Sequence, residues 1–144
     1  MDLEITSYKF GERPSVILPN IKFLEFLGED GVRTMVSRHY DLLRQSPIKK
    51  LFPSEDVELE KAKLRSSDFM IQILGGRDYY AENQGKPMLV NRHKLFTITY
   101  AGRTVWLNCY KQALLETNAP EHLIQSFWDY INVFSMWIVN VPDQ

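Results

Sequence analysis

Cysteine is nearly missing from this chain of 144 residues, where Cys109 stands alone. One thiol can neither close an internal disulfide nor build a thiolate metal cluster, and a reducing compartment fits that usage. Long apolar runs are lacking too. Nowhere do the roughly 18 consecutive apolar residues of a membrane-spanning helix occur, and the opening MDLEITSYKFGERPSVILPN has early acidic residues and no apolar stretch suited to a signal peptide. A cytoplasmic protein with no membrane partner is expected. Neither sign of charge dominates, since 17 Lys+Arg face 18 Asp+Glu for a net charge of -1, so no global field recruits nucleic acid. Repeats, low-complexity tracts and strand-type alternation are equally scarce. The brief alternation in LFTITYA has no second strand to pair with.

What is present describes an ordinary globule, 44% hydrophobic and 24% charged, in which roughly 70% of the unfolded surface can be buried by a single domain. Aromatic residues make up 12%, enough for either a well-packed core or a pocket for a flat apolar ligand. Residues 1–20 read as an N-terminal arm, extended between Pro14 and Pro19, and residues 21–144 as the domain. A short helix near Ile21 to Leu27 precedes a stronger one, in which Val32, Met35, Val36, His39, Tyr40 and Leu43 fall on one face of a 3.6-residue period. Ser46-Pro47 ends it, and LFPSED forms a turn with Phe52 inward. The spacing predicts a second helix from about Val57 to Leu74, stopped by Gly75-Gly76, with an inner stripe of Ala62, Ser66, Phe69, Met70 and Ile73. A third runs from about Gly102 to Thr117, with Trp106, Cys109, Tyr110, Ala113 and Leu114 on its stripe. The last starts at Pro120, and its stripe includes Leu123, Phe127, Tyr130, Ile131, Phe134, Ile138 and Val141. The class is all-α.

Between the helices, Arg77 to Tyr100 reads as mostly loop, with a helical turn around Leu89 to His93. Irregular segments of that length inside compact domains are usually functional. This one presents His93, within GKPMLVNRHKLFTIT. Tyr40, Ser66 and Trp106 all fall on apolar stripes, where an unsatisfied buried polar group costs on the order of 1–3 kcal/mol. A polar ligand held between the helices would satisfy them together. Each also has a plain alternative: a lone histidine is more often a satisfied core residue than a ligand, buried Tyr and Trp are commonly packing, and a helical serine can bond back to its own backbone. Residue types and periodicity leave function open at this point.

From Gly75 onward the chain closely resembles the truncated hemoglobins of the second group. The family pattern is a double glycine, then Tyr and Glu, then Gly-x-Pro-x-Leu-x-x-Arg-His, Phe-x-Ile, and Arg-x-x-Trp-Leu-x-Cys followed by an Ala. GGRDYYAE, GKPMLVNRHKLFTI and RTVWLNCYKQAL supply these in order and at family spacing. FLGEDGVRTMVSRHYDLL and LFPSED extend the likeness upstream, so it covers about residues 21–140.

The resemblance implies a two-over-two helical sandwich around haem b, with His93 as the proximal iron ligand and the opposite position open to oxygen and other small gaseous ligands. It makes Arg92, Tyr80 and Arg65 partners of the haem propionates. Phe52, Phe69 and Phe96 match positions that pack on the porphyrin. Tyr40 and Trp106 match the ligand-stabilising positions, and Ala62 and Ser66 lie above the iron with no distal histidine between them. His39 replaces the family's usual Phe, so its imidazole either bonds and reorients the Tyr40 phenol, approaches the pocket, or packs as a satisfied core histidine. Lys86 and Arg77 stand where the family has His and Pro. Reversible oxygen binding is the function implied first, with avid retention arguing against bulk transport. Two alternatives stand beside it: a haem-dependent redox enzyme acting on nitric oxide, peroxide or sulfide and served by a reductase, and a globin-shell sensor or interaction module. Oligomeric state is left undetermined.

Overall fold

The computed structural model describes residues 1–88, 90, 93 and 96–142. Among these, five α-helices and no strand are found: α1 (Lys22–Arg44), α2 (Asp56–Ile73), α3 (Tyr79–Gln84), α4 (Tyr100–Glu116) and α5 (Glu121–Ile138), with a 3-10 turn at Lys49–Leu51. Helices α1 and α2 pack together, α4 and α5 pack together, and α1 crosses onto α4. This is the two-over-two sandwich. No helix is long and apolar enough to cross a membrane among the described residues.

The two expected N-terminal helices are both present within α1 and meet at Gly28, whose φ of 70° and ψ of 171° break the helical geometry between them. Its stripe behaves as the periodicity predicts, with Val32, Met35, Val36, His39 and Leu43 buried. Helix α2 carries Asp56 and Glu58 in its first turn, where the helix dipole favours acids. It ends in two interlocked bonds, Gly75 N–H to Gln72 O at 3.1 Å and Gly76 N–H to Ile71 O at 2.9 Å. That Schellman geometry needs a left-handed residue, which Gly75 supplies at φ +87°; a Cβ on Gly76 would lie 2.7 Å from both Ile71 and Leu24 side chains. Thr99 caps α4 through its side chain, and Pro120 immediately precedes α5 instead of opening its first turn.

Three features depart from the sequence reading. The supposed loop after Gly76 holds α3, whose Tyr80 is buried. The turn expected at Leu89 to His93 is described only at Val90 and His93, both helical; Leu89, Asn91 and Arg92 lie outside the described residues. The inner face of α2 also includes Ser67 and Asp68. Asp68 pairs with Arg33 Nη1 at 2.9 Å and accepts from Asn83 Nδ2 at 3.3 Å, so one buried carboxylate ties α1, α2 and α3 together. Breaking such a pair costs about 3–5 kcal/mol, because a buried charge is left uncompensated.

Residues 1–20 lie against α4 and α5. Leu3, Ile5 and Val16 pack on the core cluster, the Trp128 indole donates to Glu4 O at 3.1 Å, and the Trp137 indole donates to Pro14 O at 2.8 Å. Asn132 exchanges two bonds with Thr6, accepting from its N–H at 3.1 Å and donating to its hydroxyl at 2.8 Å.

Candidate functional site

A cavity of about 550 Å³ lies between the two helix pairs, within the 300–1,000 Å³ usual for small-molecule and cofactor sites. Helix α1 contributes His39 and Tyr40, and α2 contributes Ala62, Arg65, Ser66 and Phe69. Trp106 enters from α4, Phe134, Ser135 and Ile138 from α5, and Tyr80 from α3. Phe52 and Phe96 come from the connections, and His93 from the helical position described before α4. Every candidate residue read from the sequence therefore meets on one surface, except Arg92, which lies outside the described residues. Of the stripe residues that the sequence places in the core, Tyr40, Ser66, Trp106, Phe134 and Ile138 are half-buried and face this cavity, whereas Ile73, Cys109 and Val141 are half-buried away from it.

The walls are built by aromatic packing, edge-on for the Phe52–Tyr40 and Phe69–Tyr80 pairs and tilted for Trp106–Phe134. Phe52 meets Tyr40 at 5.6 Å between ring centroids, Phe69 meets Tyr80 at 5.5 Å, and Trp106 lies 6.4 Å from Phe134. Polar groups are few and specific. Burial pushes the Tyr40 phenol above its ordinary range, opposed by a hydrogen bond with Ser66 and by the Arg65 charge. At cellular pH it is a neutral O–H donor. Arg65 is exposed on α2 with its side chain at the cavity edge. Phe96, also at the edge, is 45% exposed.

His39 does not bond Tyr40. Its Nε2 lies 3.0 Å from the Trp106 carbonyl, and its ring packs 3.7 Å from that of Tyr110. It is the satisfied core histidine. Burial pushes its pKa down to about 3, the Trp106 bond opposing. The Tyr110 hydroxyl behind it is buried without a hydrogen-bond partner among the described residues, and burial, with Tyr40 and Tyr130 nearby, raises its pKa. It stays protonated.

Two polar residues of this region were not singled out from the sequence. Arg103, one helical turn before Trp106, is 4% exposed. It donates to Ser135 Oγ at 2.8 Å, to Asn132 O at 2.7 Å and to Thr6 O at 3.1 Å, with Tyr8 stacked 5.0 Å from its guanidinium. Its position three residues before Trp106 on the same stripe was the available signal. Asn140 gave none: it follows α5 and binds the His93 segment, a tertiary contact invisible to local patterning.

Comparisons with known proteins follow the same lines. The family model for bacterial-like globins matches residues 23–140. The group 2 truncated hemoglobin YjbI of Bacillus subtilis (strain 168) is 35% identical over 91 residues, which is 62% of this chain and 67% of that protein. Among solved structures, phosphate-bound Hell's gate globin IV superposes with a TM-score of 0.90 at 32% identity, covering 96% of this chain and 87% of that one. A truncated oxygen-avid haemoglobin from Bacillus subtilis superposes at 0.76 with 29% identity, covering 81% of this chain and 98% of that one.

Proposed function

The chain belongs to the bacterial-like globin family, a group II truncated hemoglobin in type, and from that premise we propose that it holds haem b in the central cavity and binds oxygen reversibly. The observation that carries the reading is the meeting of His93 with Tyr40, Ser66 and Trp106 around one aromatic-walled space. The donor set fits the group: a neutral imidazole is the usual globin axial ligand, and flat apolar walls suit a porphyrin face. Bound there, haem supplies an iron with one position open to a diatomic molecule.

The chain's own residues do the rest. His93 would hold the iron as proximal ligand, and Arg92, Arg65 and Tyr80 would serve the propionates, a guanidinium offering charge-assisted bonds. Phe52, Phe69 and Phe96 pack against the ring. Tyr40 and Trp106 donate their O–H and N–H to the gas ligand, with Ser66 holding the phenol, while Ala62 is too small to block entry. Hydrogen bonds to a charge-bearing acceptor are worth about 1.5–3 kcal/mol each. Retention is therefore avid, in keeping with the relative described as oxygen-avid, and storage, sensing or chemistry on the ligand suits the site better than transport. The same donors would polarise a peroxide, with a cytoplasmic reductase supplying electrons.

Hemin titration tests the reading. A Soret band near roughly 410 nm in the wild type, lost or shifted in His93→Ala, is expected; colourless protein that refuses added hemin overturns it. Peroxidase turnover no greater than that of free haem removes the redox branch.

A further inference from the structure

We infer that Asn140 is the positioning residue for the His93 imidazole, a reading that rests on His93 as the proximal ligand. The Asn140 side chain donates to the carbonyl oxygens of His93 at 3.3 Å and Phe96 at 2.6 Å, and accepts from the Ile98 N–H at 3.0 Å. The backbone N–H groups of Asn140 and Val141 both donate to Ile98 O, at 3.0 and 3.3 Å. Both amide protons and the amide oxygen are thus spent on one short segment whose first member is His93. The reverse amide orientation would set NH₂ against the Ile98 N–H and lose all three bonds, so the network fixes which end is oxygen.

A residue just past a helix usually bonds nearby backbone. The side-chain partners of Asn140 lie 42, 44 and 47 positions earlier instead. Val139 leaves α5 in extended geometry, with φ -60° and ψ 124°, and this carries the amide out to the His93 segment. The same helix lends Phe134, Ser135 and Ile138 to the cavity wall. Wall and His93 backbone are therefore held by the same element. Groups that bond the free ring N–H of a metal-ligating histidine typically change metal affinity by about 10–100-fold when lost; Asn140 acts one step further back, on the backbone that carries the ring, so the lower end of that range is expected. Aspartate at this position would keep the acceptor and lose both donors; alanine would lose all three bonds.

The test compares wild type, Asn140→Asp and Asn140→Ala as ferrous holoproteins, reading the iron–imidazole vibration by resonance Raman and haem transfer to excess apomyoglobin. Leu123→Ala is the control, because Leu123 is a buried residue of α5 away from the cavity and its loss lowers stability alone. The vibration is expected to shift or broaden in both Asn140 variants and stay put in the control, with haem loss about tenfold faster in Asn140→Asp. Asn140 variants that keep the wild-type frequency and lose haem within about twofold of its rate overturn the inference while leaving the haem reading intact. A wild type with no His93-dependent vibration overturns both.

Discussion

His39 Nε2 lies 3.0 Å from the Trp106 carbonyl oxygen, joining α1 to α4 beside the cavity. A carbonyl only accepts, so Nε2 carries a proton, and burial, which lowers the pKa to about 3, keeps the ring neutral at cellular pH. That bond fixes the helix turn that carries the Trp106 indole.

The buried imidazole makes stability depend on acid. Its folded pKa is pushed from 6.5 down to about 3, so between those values the unfolded chain takes up a proton that the folded chain refuses. Stability therefore falls as pH drops below 6.5, and the loss levels off only near 3. Denaturant titrations of wild type and His39→Gln should diverge on acidification, with the variant gaining about 2–3 kcal/mol relative to wild type by about pH 4.5. A constant difference across that range would mean that His39 is solvated or charged in the folded protein.

Removing either donor should speed ligand escape. If the proposed site is right, Tyr40→Phe and Trp106→Phe each delete one hydrogen bond to the gas ligand, and about 1.4 kcal/mol per bond corresponds to a roughly tenfold faster oxygen off-rate. Stopped-flow displacement of oxygen measures it. Unchanged rates in both variants would remove the two side chains from the ligand's environment.

Arg103 is the keystone of the arm. Arg103→Met removes the guanidinium bonds to Ser135 Oγ, Asn132 O and Thr6 O; the Ser135 hydroxyl still donates to Asn132 O at 3.1 Å, so the Thr6 carbonyl is the group that loses its donor, at a cost of about 1–3 kcal/mol. Denaturant midpoints should fall accordingly, and limited proteolysis should cut within residues 1–12 well before the helices. Arg103→Lys, which keeps the charge and part of the bonding, should fall between. An arm that stays protected in Arg103→Met would show that its apolar contacts suffice.

Periodicity was enough to recover the long helices, since Val32, Val36 and Leu43 face the core at the spacing that the sequence displays. It also pointed to three of the cavity residues, because Tyr40, Ser66 and Trp106 betray themselves as polar groups on apolar stripes; Arg65, Tyr80 and Phe96 came only from the family resemblance. Helix α3 escaped notice: Tyr79–Gln84 is too short for a period to emerge, and it is held by Tyr80 packing on Phe69 and by Asn83 bonding Asp68. Asp68 itself reads as a surface acid until its partner Arg33 is known to lie opposite. Asn140 is the clearest case, since every residue that its side chain binds belongs to a distant part of the chain. Local patterning reports which face a side chain shares with its neighbours, and says little about partners that only folding brings near.

The arm against α5 also orders events during synthesis. Glu4 emerges 124 residues ahead of Trp128, whose indole its carbonyl accepts, a delay of roughly 6–25 s at usual translation rates. Until then the arm can meet only α4, through Arg103 and Tyr100, and the Glu4 carbonyl waits for its indole. Full docking of residues 1–20 thus completes late, and a nascent chain halted before α5 would hold this segment by its α4 contacts alone, more open to protease than in the finished fold.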